Sequence, residues 1–218
     1  MPPAFLYGLN FCIKSGIIVW NKNEEEVKYM IRIATPDDAA ALCAIYSHYV
    51  INTAVSFEIT PPDANEFKRR IENTLKTYPY LVCEIDGKAV GYTYAYRFRD
   101  REAYDRSVET TVYLDKDYLH SGYGTELYSA LEKALSLQGV TNLYACIGYP
   151  TQDDDEYISM ISPEFHAKRG FTLVGRHNSC GIKFGRKYDI VWMEKIISAE
   201  SEDFKNFNEI RAEFESCL

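Results

Sequence analysis

The sequence predicts an α/β (α+β) fold, one mixed central β-sheet with helices on both faces. Three observations predict it. First, β-rich runs and amphipathic helical stripes follow one another in the order β-α-α-β-β-β-α-β-α-β-β. Second, Asp86-Gly87 between two apolar runs is a strong hairpin turn signal. Third, a β-rich run from Ser107 to Leu114 leads through a short loop with paired glycines, Gly122 and Gly124, straight into an amphipathic helix. A chain of 218 residues with 46% hydrophobic content can build one good core or two small ones.

Residues 1–29 read as an N-terminal extension. Ile13 to Trp20 fits a hairpin turned at Ser15-Gly16, and Asn21 to Lys28 is polar and acidic like a linker. The compact pattern begins at Met30 and is expected to run to residue 197. Ile31-Arg32-Ile33 alternates as a first strand. Thr35-Pro36-Asp37-Asp38 starts a helix, with Thr as N-cap, Pro at the first helical position and an acid two residues later. Leu42, Ile45, Tyr46, Tyr49 and Val50 then form its buried stripe. A second helix follows Pro61-Pro62, with Phe67, Ile71 and Leu75 on one face. Tyr80–Ile85 and Ala89–Tyr96 are the hairpin strands. The helix after the glycine loop carries Leu127, Tyr128, Leu131, Ala134 and Leu135 inward and ends near Gly139. A strand over Asn142–Ile147 precedes an acidic insertion, Asp153-Asp154-Asp155-Glu156. A short helix over about Ser162–Arg169 stops at Gly170. Strands at Phe171–Arg176 and Tyr188–Lys195 close the domain. Residues 198–218 form a tail in which Phe204, Phe207, Ile210 and Phe214 recur at helical spacing, as in a helix packed on the domain or at a dimer contact.

Bulk properties exclude several roles. Net charge is -8 and the pI is near 5.1, which disfavours non-specific binding to nucleic acid or to an anionic membrane. No apolar run approaches the roughly 20 residues of a spanning helix, and no signal peptide is read at the N-terminus. The six cysteines form no Cys-x-x-Cys pair and no zinc spacing, so no metal site is expected. Cys43, Cys83 and Cys146 fall in apolar periodic segments and read as buried free thiols, consistent with a reducing cytosol and a cytoplasmic location. A dinucleotide-binding reading fails because no Gly-x-Gly-x-x-Gly follows an opening strand.

The glycine loop carries the chemistry. Without Cβ atoms at Gly122 and Gly124 the backbone can bend sharply and bring its N–H groups close to a phosphate. The helix that follows aims its positive end at the same place. Glu109 lies on the strand that feeds this loop. A phosphate cradle beside a carboxylate points to a phosphate-bearing cosubstrate used next to a base.

From Met30 to Lys195 the chain resembles the GCN5-related N-acetyltransferase (GNAT) superfamily, and within it the phosphinothricin/methionine-sulfoximine group. The matching blocks are Ile45-Tyr46-Ser47-His48-Tyr49-Val50 with Thr53 and Phe57-Glu58, then Tyr80-Leu81-Val82 through Asp86-Gly87 to Gly91-Tyr92 and Tyr94-Ala95. Ala103-Tyr104-Asp105 with Val108-Glu109-Thr110-Thr111-Val112-Tyr113 is the most group-specific stretch. Phe165-His166, Gly170-Phe171, Lys183-Phe184-Gly185 and Asp189 complete the likeness.

The resemblance implies a GNAT fold and acetyl transfer from acetyl-CoA to the amine of a small amino acid or analogue. The pantetheine arm would lie along Val112, Tyr113 and Leu114. The pyrophosphate would lie on the loop of His120, Ser121, Gly122, Tyr123, Gly124 and Thr125. Glu109 would be the general base and His166 an acid for the leaving thiolate. A backbone N–H near Val112, freed by a bulge, would face the oxyanion. Phe57, Arg101 and Tyr104 would hold the acceptor. The chain departs from the superfamily pattern at Leu119, where an Arg or Gln is usual, and at the family Asn, for which Ser159 is the expected replacement and Thr151 the alternative. Other readings stay open: a polyamine or protein N-terminus as acceptor, a non-catalytic CoA-binding module, and a homodimer as the assembled form.

Overall fold

The computed structural model describes residues 17–21 and 26–218. The expected turn at Ser15-Gly16 lies outside the described residues. Among those described, one sheet holds eight strands in the order β1-β2-β3-β4-β5-β6-β8-β7: β1 (Ile17–Asn21), β2 (Glu26–Ile33), β3 (Tyr80–Ile85), β4 (Lys88–Arg97), β5 (Ser107–Leu114), β6 (Asn142–Tyr149), β7 (Thr172–Lys183) and β8 (Arg186–Ile196). All neighbours are antiparallel except β5 and β6. Two differences from the sequence reading stand at the ends. Residues 26–28, expected in a linker, begin β2, and β1 adds a strand outside it. β7 runs past Arg176 to Lys183 because bulges at Leu173/Gly175 and His177/Gly181 absorb a polar stretch that breaks the two-residue alternation.

Helices α1 (Ala39–Asn52) and α2 (Ala64–Leu75) cover one face; α3 (Tyr123–Leu137), α4 (Ile161–Lys168) and α5 (Phe207–Glu215) cover the other. The α1 start was legible: the Asp38 carboxylate accepts the Thr35 N–H at 2.7 Å and also holds Arg32 of β2. Leu42, Ile45, Tyr46 and Val50 are buried as their spacing requires, against Tyr80, Val82 and Tyr92. On the other face Leu127, Tyr128, Leu131, Ala134 and Leu135 of α3 pack on Leu81, Cys83, Val108 and Leu143. The Asp86-Gly87 turn has both residues at positive φ, the geometry a two-residue hairpin favours. Among the described residues no helix is long and apolar enough to cross a membrane.

The tail joins the core. Phe207, Ile210 and Phe214 are buried beneath α3, with the rings of Phe207 and Phe214 5.9 Å apart. Gln138, fully buried at the end of α3, fixes the approach: its Nε2 donates to the Thr77 and Lys205 carbonyls, each at 2.8 Å. The helix thus lays its apolar face on its own domain. Replacing Phe214 by Ala leaves a cavity in a filled site and is expected to cost about 3–5 kcal/mol. Urea unfolding monitored by fluorescence checks this; a loss below about 1 kcal/mol would show that α5 is peripheral.

Candidate active site

β5 and β6 pair in parallel only over Ser107–Glu109 with Asn142–Tyr144, although both strands continue well beyond. Past Glu109 they diverge and leave a fork. The apex is pinned by Thr110, 4% exposed, whose hydroxyl donates to the Tyr144 carbonyl at 3.1 Å and accepts from the Tyr128 hydroxyl of α3. On its other side β5 stays paired with β4 in unbroken register from Arg97↔Val108 to Gly91↔Leu114. The bulge expected near Val112 is therefore absent from this ladder. Bonds near the two ends set its phase: Phe98 N–H to Ser107 O (3.4 Å) and Asp115 N–H to Val90 O (2.8 Å). Odd-numbered residues accordingly face β4, and Thr110, Val112 and Leu114 turn their backbone groups to the fork. The free edge arises from lost pairing with β6, not from an inserted residue. Tyr113 uses its backbone on β4 and places its ring among Tyr46, Tyr49 and Tyr92. The Leu114 carbonyl accepts the Tyr49 hydroxyl at 2.5 Å.

β5 delivers the chain to the glycine loop. Gly122 has φ +90°, a conformation open to glycine, and turns the chain directly into α3. The Thr125 and Glu126 N–H groups return to the Gly122 carbonyl, at 2.9 and 3.2 Å. The amides of Ser121, Gly122, Tyr123 and Gly124 have no backbone partner among the described residues and sit at the positive end of the helix. Gly124 meets α4 closely: a Cβ there would lie 3.5 Å from the Phe165 ring. His120, at φ +60°, and Ser121 are exposed. The nearby lysines are already paired, Lys116 with Asp117 and Lys88 with Asp115, so the cradle relies on backbone dipoles.

Glu109 stands at the fork apex on the α1/α2 face. Burial raises its pKa above the ordinary carboxylate range, while the Tyr96 hydroxyl and the Arg99 guanidinium pull the other way. Tyr96 is its direct cross-strand partner. Arg99 is held flat over Phe98 (4.1 Å), which in turn stacks on Tyr144 (4.2 Å). Arg99 is the cation that sequence reasoning missed; it is exposed, the charged run Arg97–Glu102 hides which arginine stacks on an aromatic ring, and the signal was the aromatic residue before it. Arg101 is exposed and makes no ion pair among the described residues, and Tyr104 packs loosely on Phe98 at 6.1 Å.

Phe57 lies in the loop between α1 and α2. Its ring fills the space over Gly181, where a Cβ would come within 2.2 Å of it. Neighbouring bonds hold this loop to the far end of the sheet: Ala54 N–H to Tyr157 O (2.8 Å), the Tyr46 hydroxyl to Ser56 Oγ (2.7 Å), and Lys183 Nζ to Ser56 O (2.6 Å). Lys183 is 4% exposed, and burial depresses its pKa. The acidic insertion is ordered by Asp155, whose carboxylate takes the Tyr157 N–H, the Tyr188 hydroxyl and Arg186.

Other expectations are corrected. His166 does not share a face with Glu109. It is buried on the α3 side against Tyr128, Phe165 and Phe171, its Nδ1–H donates to Ser162 O at 2.8 Å, and burial lowers its pKa. Helical periodicity gave its face but not the sheet side on which that face would lie. Ser159 is exposed before α4, where its Oγ accepts the Ile161 N–H at 3.4 Å; Thr151 bonds the Lys187 carbonyl at 3.1 Å. Cys43 and Cys83 are buried, but Cys146 reaches the surface of β6 on the Glu109 face. Its neighbours still hem it closely enough that desolvation, helped by Glu109 and Cys180, pushes its thiol up to about 12.

Comparison with known proteins agrees with this geometry. Residues 31–192 match the acetyltransferase (GNAT) domain family. The chain is 36% identical over 170 residues to a phosphinothricin N-acetyltransferase of Alcaligenes faecalis, covering 78% of this chain and 83% of that one. It is 33% identical over 165 residues to a phosphinothricin N-acetyltransferase of Streptomyces viridochromogenes, covering 76% and 86%. The crystal structure of a GNAT-superfamily phosphinothricin acetyltransferase from Sinorhizobium meliloti, in complex with acetyl-CoA, superposes with a TM-score of 0.72 at 28% identity, over 81% of this chain and 93% of that one. A forked sheet, a helix-borne amide cradle and these matches make the chain a member of the GNAT family of acetyltransferases.

Proposed function

We propose that the chain moves an acetyl group from acetyl-CoA to the amine of a small amino acid or analogue, of the phosphinothricin and methionine-sulfoximine type, by direct attack with Glu109 as general base. The observation that carries this is a half-buried carboxylate of raised pKa at the point where the sheet opens. An amine arrives as ammonium and is inert until it loses a proton. A carboxylate lifted toward neutrality accepts that proton more readily than an ordinary one, whose pKa is about 4.3.

Acetyl-CoA fits the fork and the loop together. Val112 and Leu114 offer backbone groups along which a pantetheine arm adds as a strand. The amides of Ser121 to Gly124, with the α3 dipole, suit its pyrophosphate. A backbone N–H on the fork edge of β5, that of Val112 in first place, is suited to the oxyanion, since it turns away from β4 at a point that β6 no longer reaches. On the acceptor side, Arg99 supplies the fork-shaped donor that an amino-acid carboxylate needs, with Arg101 and Tyr104 further out on the same loop. Phe57 closes the opposite wall. A neutral, buried His166 serves packing beneath α3 rather than proton transfer. No part of this reading needs an assembled dimer.

Glu109→Gln should lower kcat/KM for amine at least tenfold while calorimetry finds CoA affinity unchanged; equal turnover removes Glu109 from the reaction. In the wild type, kcat/KM should rise with pH as Glu109 ionises, with a limb above the ordinary carboxylate range. Arg99→Leu removes a charge that favours the carboxylate and should move that limb to higher pH; a fixed limb would separate Arg99 from Glu109. His166→Phe should keep the shape of the profile, and loss of a limb would restore His166 as a proton donor. Gly181→Ala displaces the Phe57 ring and should raise the acceptor KM several-fold with little change in the KM for acetyl-CoA.

A further inference from the structure

Glu109 has a neighbour to which the proposed reaction gives no task. In the β4–β5 ladder Tyr96 stands directly opposite Glu109, so the two side chains leave the sheet together on the α1/α2 face. The Tyr96 hydroxyl lies within hydrogen-bonding reach of the carboxylate and is its one side-chain hydrogen-bond partner among the described residues.

The other groups around Glu109 are engaged elsewhere. Arg99, in the loop after β4, acts on it only through charge and lies over the Phe98 ring at 4.1 Å. Tyr144, across from it on β6, stacks on Phe98 at 4.2 Å. Cys146, two residues further along β6, has its thiol pushed up to about 12 by burial and stays protonated at neutral pH. Tyr94 of β4 lies opposite Thr111 rather than Glu109. Arg70 of α2, on the same face, is bound by Glu58 at 2.9 Å and Glu66 at 3.1 Å.

Tyr96 is itself held in place. Its ring packs on Tyr94 at 5.9 Å, and Tyr94 stacks on the buried Tyr80 at 4.8 Å and 11°. The three rings run outward from the core along a cavity of about 340 Å³ between α2 and β4, with Tyr96 outermost and 38% exposed. A side chain locked by packing can lock a second one by a hydrogen bond. Burial and the adjacent carboxylate hold the Tyr96 pKa far above the usual phenol range, so its hydroxyl remains a donor at working pH.

We propose that Tyr96 is the positioning residue for Glu109: its hydroxyl donates to one carboxylate oxygen and leaves the other aimed at the amine in the fork. The inference rests on Glu109 acting as the base. In the step itself the ammonium N–H bond breaks and an O–H bond forms on the second carboxylate oxygen. The nitrogen keeps the electron pair with which it attacks the thioester carbonyl, and Tyr96 keeps its own proton throughout.

The test uses L-methionine sulfone and acetyl-CoA in steady-state assays. Tyr96→Phe removes the hydroxyl and retains the ring on Tyr94. It is expected to lower kcat roughly tenfold, the cost of a misplaced catalytic group, with the KM for acetyl-CoA unchanged as a sign of an intact fold. The ionisation limb of kcat/KM should also move to higher pH, because a bond that favours the charged carboxylate is lost. In a Glu109→Gln background the same substitution should have no further effect, since no carboxylate is left to hold. Equal losses in both backgrounds, or wild-type kcat with an unmoved limb in Tyr96→Phe, overturn the role of Tyr96 and leave Glu109 as the base. Undiminished turnover in Glu109→Gln alone, or no turnover in the wild type, overturns the base reading and the positioning role with it.

Discussion

The ladder between β5 and β6 ends after Glu109, and the site is organised by that early ending. Backbone groups deep in a sheet are normally paired. Here one edge of β5 loses its strand partner beyond Thr110 because the neighbouring strand diverges, leaving Val112 without one and the Leu114 carbonyl to the Tyr49 hydroxyl, while the β4 side of the same strand stays paired throughout. The two edges therefore differ: one holds the strand rigid, and the other is the one that the proposed reading gives to a ligand. Thr110 makes the separation stable. Its hydroxyl bonds to the last β6 carbonyl within reach and to Tyr128 of α3, so the apex cannot close without losing buried hydrogen bonds. Everything downstream, including the reach of the glycine loop and the exposure of Glu109, follows from where that apex lies.

Much of the fold could be read in the residues because its local signals agree with one another. The α1 stripe, the Asp86-Gly87 turn, the extent of β5 and the tail helix all combine a period with a stop signal. The glycine loop was legible for the same reason: Gly122 adopts the positive φ that its position implied. What periodicity does not encode is which face of a sheet a helix covers. His166 illustrates this, since its motif fixes its place on α4 but not its isolation from Glu109 by the sheet. The full β7 was hidden by Asn178 and Ser179, where Ser179 takes a positive φ and its N–H bonds the buried Asp189 carboxylate at 2.6 Å. Arg99 was hidden among like charges, and the stacking that selects it is a tertiary contact.

In the proposed reading the acceptor side is held differently from the cosubstrate side. Acetyl-CoA would meet regular strand and helix backbone, whereas the opposite wall is a loop whose position depends on remote partners. Lys183 reaches from β7 to the Ser56 carbonyl, and Gly181 leaves the space that the Phe57 ring fills. Both contacts join residues far apart in the chain. Changes in the β7–β8 hairpin or in the acidic segment ordered by Asp155 are thereby transmitted to the α1–α2 loop without touching β5. Acceptor preference and cosubstrate affinity can vary separately on this scaffold.

Cys146 lies on the fork-facing strand β6, on the same face as Glu109, where a free coenzyme thiol is released at the end of each cycle in the proposed reaction. Thiol–disulfide exchange proceeds through a thiolate. With its thiol held near 12, Cys146 stays protonated at neutral pH and is a poor nucleophile. In the proposed reaction the strand would therefore bring to the departing coenzyme a sulfur whose protonation slows its capture as a mixed disulfide.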